Sequence, residues 1–380
     1  MPWKVWDTMS LRKEFVMLAT QSDANIRELC RRFGISAKTG YKWIKRFSEE
    51  GGQGLKNRSR RPRKSPSRTP SGQEEVVVAL RDRHRAWGGR KIRARMINQG
   101  HQVVPAASTI TGILRRHGRL DDTESAKHKA WTRFEHEAPN DLWQMDFKGH
   151  FPMRQGRCHP LTVLDDHSRF SVGLIACADE RTDSVQTQLT GLFRCYGMPE
   201  RILADNGSPW GNATAHRYTK LGVWLLRLGV AISHGRPHHP QTQGKDERFH
   251  RTLRAELLRW EEFRDLCHCQ RRFDDWRDIY NLERPHEALQ MQVPASRYQV
   301  SPRPFPEALP SIEYGPGDVV RKVRHKGKLS YRGNTYNLSQ AFHGYPVALR
   351  ETGTDGLLDV VFCQHTIAQI DLKNQRVSHR

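Results

Sequence analysis

Three carboxylates stand where one chain could gather them. Glu247 sits early in a helix-like stretch in which Glu247, Arg251 and Arg254 fall at i, i+4 and i+7, along one side. Asp146 lies in the apolar run Leu142-Trp143-Gln144-Met145-Asp146-Phe147, and Asp205 closes the run Ile202-Leu203-Ala204. A carboxylate followed by guanidinium groups suits an enzyme that holds a hard cation and acts on a phosphate backbone. The acid binds the ion, and the arginines bind the polymer beside it. Each element alone has a plainer reading: a surface helix laced with ion pairs, or aspartates at strand ends. Taken together, the three favour chemistry.

The order Asp146, Asp205, Glu247, with His239-Pro240-Gln241-Thr242-Gln243-Gly244 leading into the glutamate helix, resembles the DDE integrase core of retroviral integrases and insertion-sequence transposases. More narrowly, three segments resemble IS481-type transposases. They are Asp146-Phe147-Lys148-Gly149, Leu164-Asp165-Asp166-His167-Ser168-Arg169-Phe170 and Glu247-Arg248-Phe249-His250-Arg251-Thr252-Leu253. The likeness runs from Asn140 to Tyr298. It departs from the retroviral pattern in the 41 residues between Asp205 and Glu247, several more than usual there.

The resemblance implies that Asp146, Asp205 and Glu247 are both the catalytic residues and the ligands of two Mg²⁺ or Mn²⁺ ions. Three crowded carboxylates need such neutralisation, and a cation pair also serves an in-line displacement at phosphorus. Lys148, two residues after Asp146, faces the same side of its strand and is a candidate phosphate contact. Arg251 and Arg254 match positions where such cores touch DNA. His238 and His239 read as loop-ordering or DNA-facing residues. Asp165 and Asp166 are rival acids; Asp166 is taken as a turn residue that could support the site from behind, because the triad of the resembled family does not use it.

Composition points the same way. The chain has 380 residues, a formal charge of +22 and a pI near 10.1, which calls for an anionic partner, nucleic acid before membrane. No apolar run approaches membrane-spanning length and no secretory signal opens the chain, so a cytoplasmic, nucleoid-associated bacterial protein is expected. Seven scattered cysteines read as reduced thiols. Cys267-His268-Cys269 fits no zinc spacing and reads as structural. Residues 1–137 carry 30 Lys and Arg against 14 Asp and Glu, so most of the positive charge precedes the core.

That region reads as DNA-binding. Residues 1–54 form a helix-turn-helix domain. Leu11, Phe15 and Leu18 mark its first helix, Asn25 and Ser36 cap the next two, and Gly34 makes the turn. The third helix turns Tyr41, Ile44 and Phe47 inward and presents Lys38, Thr39, Lys42, Lys45 and Arg46 to a major groove. Residues 55–71 are a basic Pro/Ser linker in which Arg60, Arg61 and Arg63 suit a minor-groove arm or a plain spacer. Residues 72–120 form a second helix-turn-helix with Ile92, Met96, Ile110, Ile113 and Leu114 as its core. Residues 121–137 are a charged connector.

From 138 to 300 the pattern becomes strands alternating with helices. Strand-like runs at 142–151, 161–166 and 170–176 predict an antiparallel meander. A helix at 182–196, a strand at 201–204, a helix at 213–228, a strand at 230–233 and the Glu247 helix follow. That order predicts an α/β ribonuclease H-like core with a mixed sheet. A Pro-rich hinge is expected at 294–310. Residues 311–380 alternate in short runs with turns at Lys326-Gly327, Arg332-Gly333 and Asp355-Gly356, a small all-β, barrel-like domain.

The expected protein is a DNA transposase that binds the terminal inverted repeats of an insertion sequence. It would cleave and join DNA strands with Mg²⁺ or Mn²⁺, acting on double-stranded DNA as a homo-oligomer. The alternatives are a catalytically inactive DNA-binding regulator, which the intact acids oppose, and a nuclease for RNA–DNA hybrids, which two duplex-reading modules oppose.

Overall fold

The computed structural model describes residues 8–58, 68–120, 135–205, 207–211, 218–234 and 244–379. Arg60, Arg61, Arg63, His238 and His239 lie outside the described residues. The chain divides into two compact units, residues 1–68 and 69–380. Among the described residues, no helix is long and apolar enough to cross a membrane.

The first unit is a three-helix module: α1 (Thr8–Ala19), α2 (Ile26–Arg32) and α3 (Ala37–Glu50). The Asn25 side chain accepts from Glu28 N and that of Ser36 from Thr39 N, so both expected caps start their helices. Phe15, Val16, Cys30, Trp43 and Leu55 form the core. The inward stripe of α3 is Gly40, Trp43, Ile44 and Phe47, and Tyr41 is exposed, contrary to expectation. The reason is Gly40. A Cβ there would collide with Cys30 Sγ and Phe15, so the closest approach of α3 falls at a residue carrying no hydrophobic signal.

The second unit opens with α4 (Ser71–Arg83), α5 (Gly89–Asn98) and α6 (Ala107–Arg116). The five expected apolar residues are buried there with Val77, Leu80 and Trp87. This module is keyed to the rest of the unit by ion pairs. Arg95 meets Glu283 at 2.8 Å, and Lys91 reaches Glu256 at 3.9 Å. Arg284 meets the same Glu256 at 2.9 Å.

Next come β1 (Leu142–Phe147), β2 (Phe151–Pro152), β3 (Arg157–Asp165) and β4 (Ser171–Cys177), an antiparallel meander. They continue into α7 (Thr182–Tyr196), β5 (Arg201–Ala204), α8 (Lys220–Arg227), β6 (Ala231–His234), α9 (Gly244–Leu253) and α10 (Leu266–Asp278). The sheet runs β4-β3-β1-β5-β6, with β5 parallel to β1 and to β6. This is the ribonuclease H-like order. Alternation along β1 sends Trp143 and Met145 into the core shared with α7 and α8. Helices α9 and α10 cover the opposite face through Phe249, Leu253, Phe273 and Trp276, which pack on Leu164 and Leu174. Both helices end in a π-type turn, Arg254–Leu258 and Ile279–Glu283, and these two turns carry Glu256 and Glu283, the partners of α5.

Residues 294–310 are a packed strap where a hinge was expected. Ser301 donates to Met198 O at 2.6 Å, Arg303 to Pro199 O and Gly229 O at 2.6 and 2.8 Å, and Tyr298 stacks on Phe170 at 4.2 Å. Proline fixes the strap's direction, while its polar neighbours supply the bonds that hold it.

The C-terminal strands are β7 (Val319–Lys322), β8 (Lys328–Tyr331), β9 (Asn334–Asn337), β10 (Pro346–Glu351), β11 (Leu357–Phe362), β12 (His365–Asp371) and β13 (Arg376–His379). They form a five-stranded antiparallel sheet, β13-β12-β11-β10-β7, and a separate β8–β9 hairpin. The three expected turns carry positive φ at Gly327, Gly333 and Gly356. Val223 and Leu226 of α8 complete the core of this sheet, so α8 serves two cores.

Candidate active site

The carboxyl ends of β1 and β5 form the floor of the site. Gln144 pairs with Leu203 in the parallel ladder, so two residues further on Asp146 comes level with Asp205 on the adjacent strand. Asp205 is held where β5 ends: its Oδ1 accepts from Gly207 N at 3.0 Å, and His234 Nδ1 of β6 donates to its carbonyl at 2.8 Å. Glu247 comes from the first turn of α9 and is exposed at the rim.

The three acids share one field. Burial, then the charge of Asp205, push the Asp146 carboxyl up to about 7; Glu180 and Glu247 add smaller contributions. Among the described residues, no three His, Cys, Asp or Glu side chains converge on a common point at ligand distance.

One acid here escaped the sequence reading. Asp246 is fully buried, and among the described residues neither carboxylate oxygen has a hydrogen-bond partner. Burial, then the charges of Asp146 and Asp166, raise its carboxyl well above the ordinary range. The signal was present in α9. Asp246, Phe249, Leu253 and Leu257 form its inward stripe, while Glu247, Arg251 and Arg254 line the exposed side. An all-carboxylate donor set with spare oxygen lone pairs beside Asp146 fits a hard divalent cation.

The rival acids have structural partners. Asp165 accepts from Asn140 N at 2.8 Å and from Ser168 N and Oγ at 2.8 and 2.6 Å, closing the β3–β4 turn. Asp166 is 1 % exposed, as a residue supporting the site from behind would be. It accepts from Gln144 Nε2 at 2.7 Å and His136 N at 2.9 Å and is ion-paired to Lys245. Burial alone would raise its carboxyl; the Lys245 ammonium, with the His136 N–H and the Arg169 charge, outweighs that and holds it below the usual value.

Of the expected phosphate contacts, Lys148 and Arg254 come together. Burial first, and then the Arg254 charge, lower the Lys148 ammonium. Arg251 and Arg254 are exposed, and among the described residues no hydrogen bond or ion pair holds either guanidinium. In α3, Lys38, Lys42 and Lys45 are exposed, while Thr39 and Arg46 are half-buried. Lys45 lies 3.8 Å from Glu49. The charges of Lys42 and Arg46 sit over the Trp43 ring at 4.6 and 5.2 Å, so both also serve the fold of the module.

Family models match along much of the chain. Integrase core domains match residues 136–240 and 228–294, and the C-terminal domain of IS481 family transposases matches 318–378. A helix-turn-helix domain matches 11–63 and a homeodomain-like domain 39–114. An uncharacterized protein of insertion element IS407 from Burkholderia multivorans is 27% identical over 158 residues, covering 42% of this chain and 55% of the relative. One from insertion element IS476 of Xanthomonas euvesicatoria is 28% identical over 180 residues, covering 47% and 49%. The chain thus spans about half the length of the curated relatives it matches. A chain of the simian T-cell lymphotropic virus intasome, solved with PP2A regulatory subunit B56 gamma, is 15% identical. The match covers 75% of this chain and 91% of that one, with a TM-score of 0.39.

Proposed function

We propose that this chain, which belongs to the IS481-type transposases of the integrase superfamily, cleaves DNA at the ends of its element and joins the freed 3′-hydroxyls to target DNA. The observation that carries this reading is the level placement of Asp146 and Asp205 at the ends of adjacent parallel strands, with Glu247 on the helix beside them.

In this reading Asp146, Asp205 and Glu247 hold two Mg²⁺ or Mn²⁺ ions. Such ions, when bound, activate the attacking oxygen and stabilise the leaving oxygen of an in-line displacement. The remaining work belongs to the chain. Lys148 and Arg254 bind a phosphate beside the acids, and Arg251 extends that contact one turn along the rim. The rigid sheet fixes the two aspartates, so the scissile phosphate is oriented before reaction. The α3 face and the basic segment at 60–63 grip duplex DNA, mostly through phosphates.

The test is a labelled duplex from the ends of the element that encodes this chain, incubated with protein and Mg²⁺ or Mn²⁺. Nicking at the end followed by joining supports the reading. Tight binding without cleavage under any divalent cation supports a regulator instead.

A further inference from the structure

Asp146 of β1 faces Thr162 of β3 across the antiparallel ladder. The Thr162 hydroxyl, fully buried, lies 2.9 Å from the Asp146 carbonyl oxygen and 2.8 Å from His250 Nε2. These distances fix the direction of every proton. A carbonyl can only accept, so the hydroxyl spends its one proton on Asp146, and it must then accept from the imidazole. His250 therefore carries its proton on Nε2. The result is a directed relay, His250 N–H to Thr162 O–H to the Asp146 carbonyl. Burial, and then the nearby Lys148 charge, bring the His250 pKa down to about 4.

His250 stands three residues after Glu247, one turn along α9. The relay thus joins the helix bearing one proposed ligand to the strand bearing another, through the buried hydroxyl of Thr162.

We propose that Thr162 and His250 are positioning residues that set the spacing of Asp146 and Glu247, and with it the affinity of the site for a divalent cation. The proposal rests on the reading of those two acids as metal ligands. Partners that orient ligands from behind typically change metal affinity by about 10–100-fold when removed.

The experiment uses the full chain and Mn²⁺ alone, with free ion counted by electron paramagnetic resonance, and a melting curve for each variant. Thr162→Val and His250→Leu each break the relay at a different member, so the proposal does not depend on one variant folding. Each is expected to weaken Mn²⁺ binding at least about tenfold while the fold is kept. Thr162→Ser and His250→Gln, which keep a hydroxyl and a donor, should stay within about threefold of wild type on the same principle. End cleavage by Thr162→Val should recover at high Mn²⁺, whereas Glu247→Gln should not recover at any concentration. Folded Thr162→Val and His250→Leu proteins that bind Mn²⁺ like wild type overturn the proposal. If the wild-type chain binds no Mn²⁺, the reading of the acids as ligands fails and the positioning role falls with it.

Discussion

The ammonium of Lys245 is ion-paired to the carboxylate of Asp166, with side chains 18% and 2% exposed. Lys245 also donates to the Asp166 carbonyl at 3.2 Å. This joins the end of β3 to the residue two before Glu247. The sequence marks Asp166 as a turn residue able to support the site from behind, and the structure makes it an anchor for the start of α9.

Asp166→Asn should therefore destabilise the second unit by roughly 3–5 kcal/mol, because it strands a buried ammonium. Urea unfolding measures this. Lys245→Met added to Asp166→Asn should return part of the loss, since the stranded charge is gone. A change within 0.5 kcal/mol, the range of an ordinary surface substitution, would rule out the anchoring role.

Acid should loosen the α4–α6 module. His84 is 7% exposed, stacks on Trp87 at 3.8 Å, and has its pKa lowered to about 4, chiefly by burial and then by Arg83. The unfolded chain takes up a proton near pH 6.5 and the folded one only near 4, so this contribution is full above 6.5. It is lost as pH falls from 6.5 to 4, at most on the order of 3 kcal/mol. His84→Gln should flatten that part of the stability–pH profile. An unchanged slope in urea melts would exclude His84 as its source.

The ion pairs of Glu256 hold that same module to the core. Burial, and then Arg284, lower the Lys91 pKa to about 8, and Glu256 faces both cations. Glu256→Gln should speed hydrogen exchange in α5 and spread the positions of end cleavage over neighbouring nucleotides. Protection in α5 equal to wild type would show that packing alone fixes the module.

In α3, Lys38 and Lys45 are cleaner probes of DNA contact than Lys42, which also lies over Trp43. Replacing both with Ala should lower the slope of log affinity against log salt by about 0.9 for each lost phosphate contact. Gel shifts at several salt concentrations read this directly, and an unchanged slope would remove the helix from the interface.

Much of the core was legible because its signals are local. Helix α7 and strand β5 were expected at 182–196 and 201–204, where they stand, since periodicity and Gly197 bound them. Caps at Asn25 and Ser36 were legible for the same reason. What escaped depends on residues distant in sequence. Trp43 was missed because Gly40, not an apolar residue, sets the inward stripe of α3. The strap at 294–310 takes its bonds from Met198, Pro199 and Gly229, which no local pattern announces. Asp246 was hidden by its neighbour: attention to Glu247 and its exposed arginines passed over the buried stripe one residue earlier.

Glu247 is proposed as one of the metal-holding carboxylates of a strand-transfer site. Glu247→Gln keeps size and shape and removes the charge that a hard cation needs. On a labelled terminal-repeat duplex with Mg²⁺ and then Mn²⁺, end binding should persist, because the basic N-terminal region and the Arg251 and Arg254 side chains are untouched. Nicking and joining should both fall by about a thousandfold or more, since one site serves both displacements. A Glu247→Gln protein that binds the ends and still nicks them near the wild-type rate would contradict the account.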